Sequence, residues 1–120
     1  MTIEIIGAGV IGGAFGRVLA GLGHRVRWVD TRPDRVGALR VQGFAANVPE
    51  DVVEPADHFV VCVPTPTGEN GQELEPMRAA LLRIAEYLQP ERRPTVVIRS
   101  TILPGTSRQW AVPLLEQASG

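Results

Sequence analysis

Residues 3–12 read Ile3-Glu4-Ile5-Ile6-Gly7-Ala8-Gly9-Val10-Ile11-Gly12, and this stretch decides the fold. Ile3 to Ile6 is an apolar run broken only by Glu4 and reads as a first strand. From Ile11 the apolar residues fall at Ile11, Phe15, Val18, Leu19 and Leu22, which is helical spacing. Between strand and helix, Gly7-Ala8-Gly9-Val10-Ile11-Gly12 fits G-x-G-x-x-G. The pattern alone is weak because glycine is common; its position after a strand and at the start of a helix gives it meaning. Gly7 permits the tight turn, and Gly9 lets a pyrophosphate approach the backbone. Gly12 lets the helix pack close to strand 1, and Gly16, one turn later, extends that contact. The helix N-terminus faces the phosphates with free N–H groups and a partial positive charge.

Working outward, Gly21 and Gly23 stop the first helix. Arg25 to Val29 is expected to be strand 2, with Arg25 and Arg27 alternating with Val26 and Trp28. Pro33 suits the first turn of a second helix carrying Val36, Leu39 and Val41 before Gly43. A short third strand is expected near Phe44 to Ala46, then a loop or single turn over Val52 to Asp57. Phe59 to Val63 is a fully apolar run of strand length, as for a buried central strand, and Pro64-Thr65-Pro66 ends it. After a polar loop with Gly68 and Gly71, Met77, Leu81, Ile84 and Leu88 mark another helix, closed by Pro90. Thr95 to Ile98 is the fifth strand and Ser100 to Gly105 a tight loop. A last helix carries Ala111, Leu114, Leu115 and Ala118, with Pro113 as a kink. The order β-α-β-α-β-β-α-β-α predicts an α/β fold. It is a Rossmann-type doubly wound parallel sheet with strand order 3-2-1-4-5, lacking a sixth strand.

Asp30 closes strand 2, eighteen residues after Gly12. A carboxylate there accepts hydrogen bonds from the adenosine ribose hydroxyls and repels a 2′-phosphate, so the expected cofactor is NAD. Arg32 and Arg35 oppose this, since either can pair with a 2′-phosphate. Asp30 outweighs them because the second strand delivers it to the ribose.

Bulk composition narrows the rest. The 120 residues suit one domain, and a net charge of -1 gives no footing for nucleic acid. All twelve basic residues are arginine. The lone Cys62 rules out an internal disulfide, and His24 and His58 are too few and too isolated for a zinc centre, so no metal is expected. The start does not read as a signal peptide, and the apolar runs are strand-sized, which points to a cytoplasmic chain without a membrane span. Cys62, inside an apolar run, reads as a small buried hydrophobe.

The second half narrows the family. Val61-Cys62-Val63-Pro64-Thr65-Pro66, the Gly71 loop and Arg99-Ser100-Thr101-Ile102-Leu103-Pro104-Gly105-Thr106 closely resemble the UDP-glucose/GDP-mannose dehydrogenase family. So does the opening Ile6 to Gly12, with Leu19-Ala20-Gly21-Leu22-Gly23-His24 and Val29-Asp30 behind it. The resemblance covers nearly the whole chain except residues 31 to 57, a stretch shorter than usual for the family. It implies oxidation of the C6 hydroxyl of a nucleotide sugar to a carboxylate with NAD. By resemblance, Gly7, Gly9, Val10, Ile11 and Gly12 hold the pyrophosphate, Asp30 holds the ribose, and Arg35 matches a basic position beside the adenosine. Val63, Pro64 and Thr65 line the nicotinamide side, and Thr101 sits near the reacting carbon as the catalytic candidate. The alternative for the Thr65 and Thr101 hydroxyls, weighed below those roles, is loop capping.

The family's thiol nucleophile, active-site lysine, dimerisation helix and sugar-nucleotide domain have no counterpart in these residues. Residues 1–120 are therefore expected to be a truncated NAD-binding domain without its substrate domain, inactive alone. The nucleotide sugar would bind only in the complete enzyme, and the unpaired edge beside strand 5 favours self-association into a homo-oligomer. A free-standing NAD-binding module, or a partner subunit without catalysis of its own, is the alternative. Another β-hydroxyacid dehydrogenase shares the glycine turn, but the Pro64-Thr65-Pro66 and Thr101 loops argue against it.

Overall fold

A computed structural model describes residues 2–51, 56–63, 67–68, 71–72, 75–86, 94–99 and 112–119. In chain order the elements are β1 (Thr2–Ile6), α1 (Val10–Gly21), β2 (Arg25–Val29), α2 (Pro33–Val41) and β3 (Ala45–Asn47). A 3-10 turn (Pro49–Asp51) follows, then β4 (His58–Val61), β5 (Thr67–Gly68), β6 (Gly71–Gln72), α3 (Glu75–Ala85), β7 (Thr95–Ile98) and α4 (Val112–Ser119). The main sheet is parallel throughout and runs β3-β2-β1-β4-β7, which is the expected order 3-2-1-4-5 for its five strands. Reversal of the strand order between β1 and β4 opens the crevice where such sheets take ligands, at the carboxyl ends of the strands.

Strand alternation divides the core into two layers. Ile5, Val26, Trp28 and Val60 point to one face and pack with Val36 and Leu39 of α2 and with Phe15 and Leu19 of α1. Ile6, Phe59 and Val61 point to the other face and pack on Met77, Ala80, Leu81 and Ile84 of α3, with Leu114 and Leu115 of α4 against them.

The structure corrects several sequence expectations. Helix α1 starts at Val10, and only part of its apolar stripe faces the core: Phe15 and Leu19 pack there, but Ile11, Val18 and Leu22 are 56%, 63% and 71% exposed. The buried face is lined by Gly12, Gly13 and Gly16. The reason is steric. A Cβ on Gly12 would collide with the Gly7 carbonyl oxygen, and one on Gly16 would enter the Trp28 indole. Gly16 thus serves contact with β2 rather than with β1. The Trp28 indole N–H donates to the Gly12 carbonyl at 3.1 Å, which satisfies the one polar atom of that buried ring.

Smaller shifts follow from backbone geometry. The third strand sits one residue later than expected, and residues 67–72 contain an antiparallel two-residue ladder, not a plain loop. β4 includes His58 and stops at Val61, so Cys62 and Val63 lie beyond its end. Pro113 is no kink: it is the second residue of α4, in the first turn, where a missing N–H costs no helical bond. Leu88, Pro90, the Ser100–Gly105 loop and Ala111 lie outside the described residues. No described helix is long and apolar enough to cross a membrane.

The two faces of α1 make opposite predictions for one substitution. Gly16→Ala should lower stability by about 1–3 kcal/mol, because the methyl displaces the Trp28 ring. Gly21→Ala meets nothing within 4 Å and should be neutral or gain up to about 1 kcal/mol. Urea unfolding of both variants checks this, and equal effects would contradict the close helix–sheet contact.

Candidate functional site

The site is built from the glycine turn upward. Gly7 ends β1 with φ of +106°, a conformation that L side chains rarely adopt, and a Cβ there would lie 2.5 Å from the Cys62 carbonyl oxygen. The Gly7 N–H donates to the Val29 carbonyl at 2.8 Å, which carries the β1–β2 pairing one residue into the turn. Gly9 is the N-cap of α1. No side chain caps the helix, and no acidic residue stands in its first turn. First-turn N–H groups have no intrahelical acceptor, so this end offers unshared donors and a positive dipole end to an anion.

Asp30 is brought to the turn by β2. It is 7% exposed, and both carboxylate oxygens are engaged. Oδ2 accepts the Ala8 N–H at 2.7 Å, and Oδ1 accepts the Arg32 N–H at 2.8 Å. Arg35, on the first turn of α2, places Nη1 3.5 Å from Oδ2. This side chain is 37% exposed, so water screens much of the attraction. Arg32 turns away and pairs with Asp34 at 3.2 Å on the surface. Sequence alone placed the carboxylate at the ribose; it did not show that the same carboxylate also fastens the glycine turn.

A cavity of about 520 Å³ opens beside these groups. Its lining includes Gly7, Asp30, Arg35, Cys62, Val63 and Arg83, together with Pro49, Pro76 and Ala79. The residues fit a dinucleotide. A Cβ placed on Gly9 would meet only the tip of Arg35, 3.5 Å away, so the backbone there is open to a bulky group. Gly12 faces inward and supports the turn from behind, while Val10 and Ile11 are exposed at the helix start. Pro64, Thr65 and Thr101 lie outside the described residues.

Cys62 was expected to be buried in a strand. It is instead half-buried beyond the end of β4, on the cavity wall, because the strand stops at Val61. Burial pushes its thiol pKa up, and the nearby Arg99 guanidinium partly opposes the shift. Arg99 itself stacks on the Phe15 ring at 5.5 Å. Among the described residues no cluster of His, Cys, Asp or Glu suits a metal ion.

Known sequences and structures meet this geometry from two sides. The sequence profile of the UDP-glucose/GDP-mannose dehydrogenase family, NAD binding domain, matches residues 43–120. The profile of the D-isomer specific 2-hydroxyacid dehydrogenase NAD binding domain matches residues 1–79, the half holding the glycine turn that many such domains share. GDP-mannose 6-dehydrogenase of Pseudomonas putida is 31% identical over 143 positions that take in 100% of this chain and 33% of that protein. UDP-glucose 6-dehydrogenase of Haloferax volcanii is 29% identical, again over 100% of this chain and 33% of its own length. The ternary complex of GDP-mannose dehydrogenase from Pseudomonas aeruginosa superposes with a TM-score of 0.83 at 28% identity, over 100% of this chain and 33% of that one. The chain thus spans about a third of the length of the relatives it matches.

The position of Cys62 predicts its reactivity. With the neutral thiol favoured, thiolate forms at higher pH than for an unburied thiol, and whatever stability this preference contributes is lost as pH rises through the raised pKa. The rate of iodoacetamide labelling should therefore reach half its plateau at a higher pH than for glutathione. A midpoint at or below that of glutathione would show that Arg99 outweighs burial.

Proposed function

The chain belongs to the UDP-glucose/GDP-mannose dehydrogenase family as an NAD-binding domain, and on that premise we propose that it serves a nucleotide-sugar 6-dehydrogenase of the cytoplasm. The whole enzyme would oxidise the C6 hydroxyl of a nucleotide sugar to a carboxylate. The observation that carries this reading is the buried Asp30 carboxylate fastened to a glycine turn whose outer face, at Gly9, is open.

The roles follow from the chemistry of each group. Gly9, Val10, Ile11 and Gly12 hold the pyrophosphate through backbone N–H groups at the positive end of α1, and Gly7, whose own N–H is donated to Val29, turns the chain beneath it. Asp30 accepts from the adenosine ribose hydroxyls, because a carboxylate oxygen with one partner keeps further lone-pair capacity. Arg35, beside both Asp30 and Gly9, closes the adenosine side. Val63, followed by Pro64 and Thr65, borders the nicotinamide half, and Thr101 stands near the reacting carbon as a hydroxyl able to donate and accept. NAD, when bound, supplies the acceptor for a hydride. The chain's residues bind it, orient it and discriminate against a 2′-phosphate.

Two calorimetric titrations test the reading. NAD should bind about tenfold or more tightly than NADP, because the Asp30 carboxylate repels the added phosphate where little solvent screens it. Gly9→Val should abolish NAD binding with the fold kept, since only a flexible arginine tip lies in the path of the new side chain. Equal affinity for both dinucleotides would promote the arginines over Asp30, and retained affinity in the valine variant would move the pyrophosphate elsewhere.

A further inference from the structure

Glu4 interrupts an otherwise apolar strand and is 0% exposed. In the parallel register it stands directly beside Arg27. Arg27 donates from Nε and Nη2 to Glu4 Oε1 at 2.9 and 2.8 Å. From α3, Arg83 reaches the same carboxylate, donating Nη2 to Oε1 at 3.2 Å and Nε to Oε2 at 3.3 Å. Its Nη1 donates to the Pro49 carbonyl at 3.3 Å. The Arg83 side chain is 12% exposed, so its guanidinium is fixed at three points inside the protein.

Only ten residues, 48–57, join β3 to β4, fewer than the dozen or so that a helical crossover between parallel strands needs. The alignment with the Pseudomonas putida enzyme runs over 143 positions against 120 residues here, so that relative carries about 23 more over the same span. The Arg27 and Arg83 side chains are nearly buried against Glu4. The buried Glu4 carboxylate makes that burial possible, because two arginines there without an acid would be strongly unfavourable.

Arg83 also lines the cavity that holds Gly7 and Asp30. Glu4 precedes Gly7 by three residues along β1, so Arg83 is anchored about 10 Å from the turn. The cofactor reading above assigns the turn to the pyrophosphate and Asp30 to the ribose. Pro49, Pro76, Ala79 and Arg83 then remain for what comes next along the molecule. We propose that Arg83, held in place by Glu4, is the wall on which the adenine base of the dinucleotide rests, with Glu4 as its positioning residue.

The chemistry of the wall favours a base over a second phosphate. The three Arg83 guanidinium nitrogens are already engaged by Glu4 and the Pro49 carbonyl, which leaves fewer donors for a phosphate, whereas the planar face is suited to an aromatic ring. Proline and alanine supply the apolar remainder of a slot for a flat, weakly polar heterocycle. This inference depends on the cofactor reading, and its test separates the two.

The experiment is titration of the whole chain with NAD, ADP-ribose and nicotinamide mononucleotide. Arg83→Met keeps the stem and leaves Glu4 paired with Arg27; it should weaken NAD and ADP-ribose by the same factor, about 5- to 30-fold. Arg83→Lys should lose about as much, since a lysine keeps the charge but not the plane. In the unmodified chain the Arg83 Nε–H resonance should move on adding ADP-ribose and stay put with the mononucleotide, a readout that does not depend on any variant folding. Native affinity in Arg83→Met, or an Nε–H signal indifferent to saturating ADP-ribose, would overturn the role of Arg83 while leaving the cofactor reading standing. Failure of the native chain to bind NAD at all would defeat both.

Discussion

The Asp30 carboxylate holds the functional end of the sheet together. One oxygen accepts the Ala8 N–H in the glycine turn, and the other accepts the Arg32 N–H at the entry to α2. The Asp30 N–H in turn donates to the Asn47 carbonyl at the end of β3. A single residue therefore ties together the ends of β1, β2 and β3 and the start of the second helix. Because the carboxylate is buried, these bonds are charge-assisted and poorly replaced by water. The same group that would recognise a ribose is thus already oriented before any ligand arrives, which lowers the cost of ordering the site on binding.

Close approach of α1 to the sheet is the second constraint, and it explains why part of the apolar stripe of α1 lies outside the core. Glycines at 12 and 16 allow contacts that any side chain would block, so the helix buries its smallest residues. Ile11, Val18 and Leu22 are left on the outer surface, one above the other along the helix. The turn depends on this geometry, because the Gly7 carbonyl and the Gly12 backbone occupy adjoining space.

What the sequence made legible was whatever depends on neighbours in the chain. The glycine turn, the strand lengths at Arg25–Val29 and Thr95–Ile98, Pro33 at the start of α2 and Asp30 at the end of β2 are all local patterns, and the structure has them where expected. The strand order followed from the alternation of elements. The orientation of α1 was hidden because an apolar stripe does not say whether glycines on another face permit closer packing. Cys62 was misplaced because an apolar run does not mark where ladder hydrogen bonds cease. The link between Glu4 and Arg83 spans 79 positions and needed the fold. Its other half was within reach, since β1 paired in parallel with β2 brings Glu4 beside Arg27.

The account stands or falls on whether a dinucleotide occupies the space framed by the turn and Asp30. The most direct measurement is a ¹H–¹⁵N spectrum of the chain titrated with NAD to saturation. The account predicts that the largest amide shifts fall on Gly7 through Gly12 and on Asp30 through Arg35, with little change at Val18, Leu22 and the other outward residues of α1. Saturable binding that leaves the turn amides unmoved, or shifts concentrated on the outer face of α1, would contradict it.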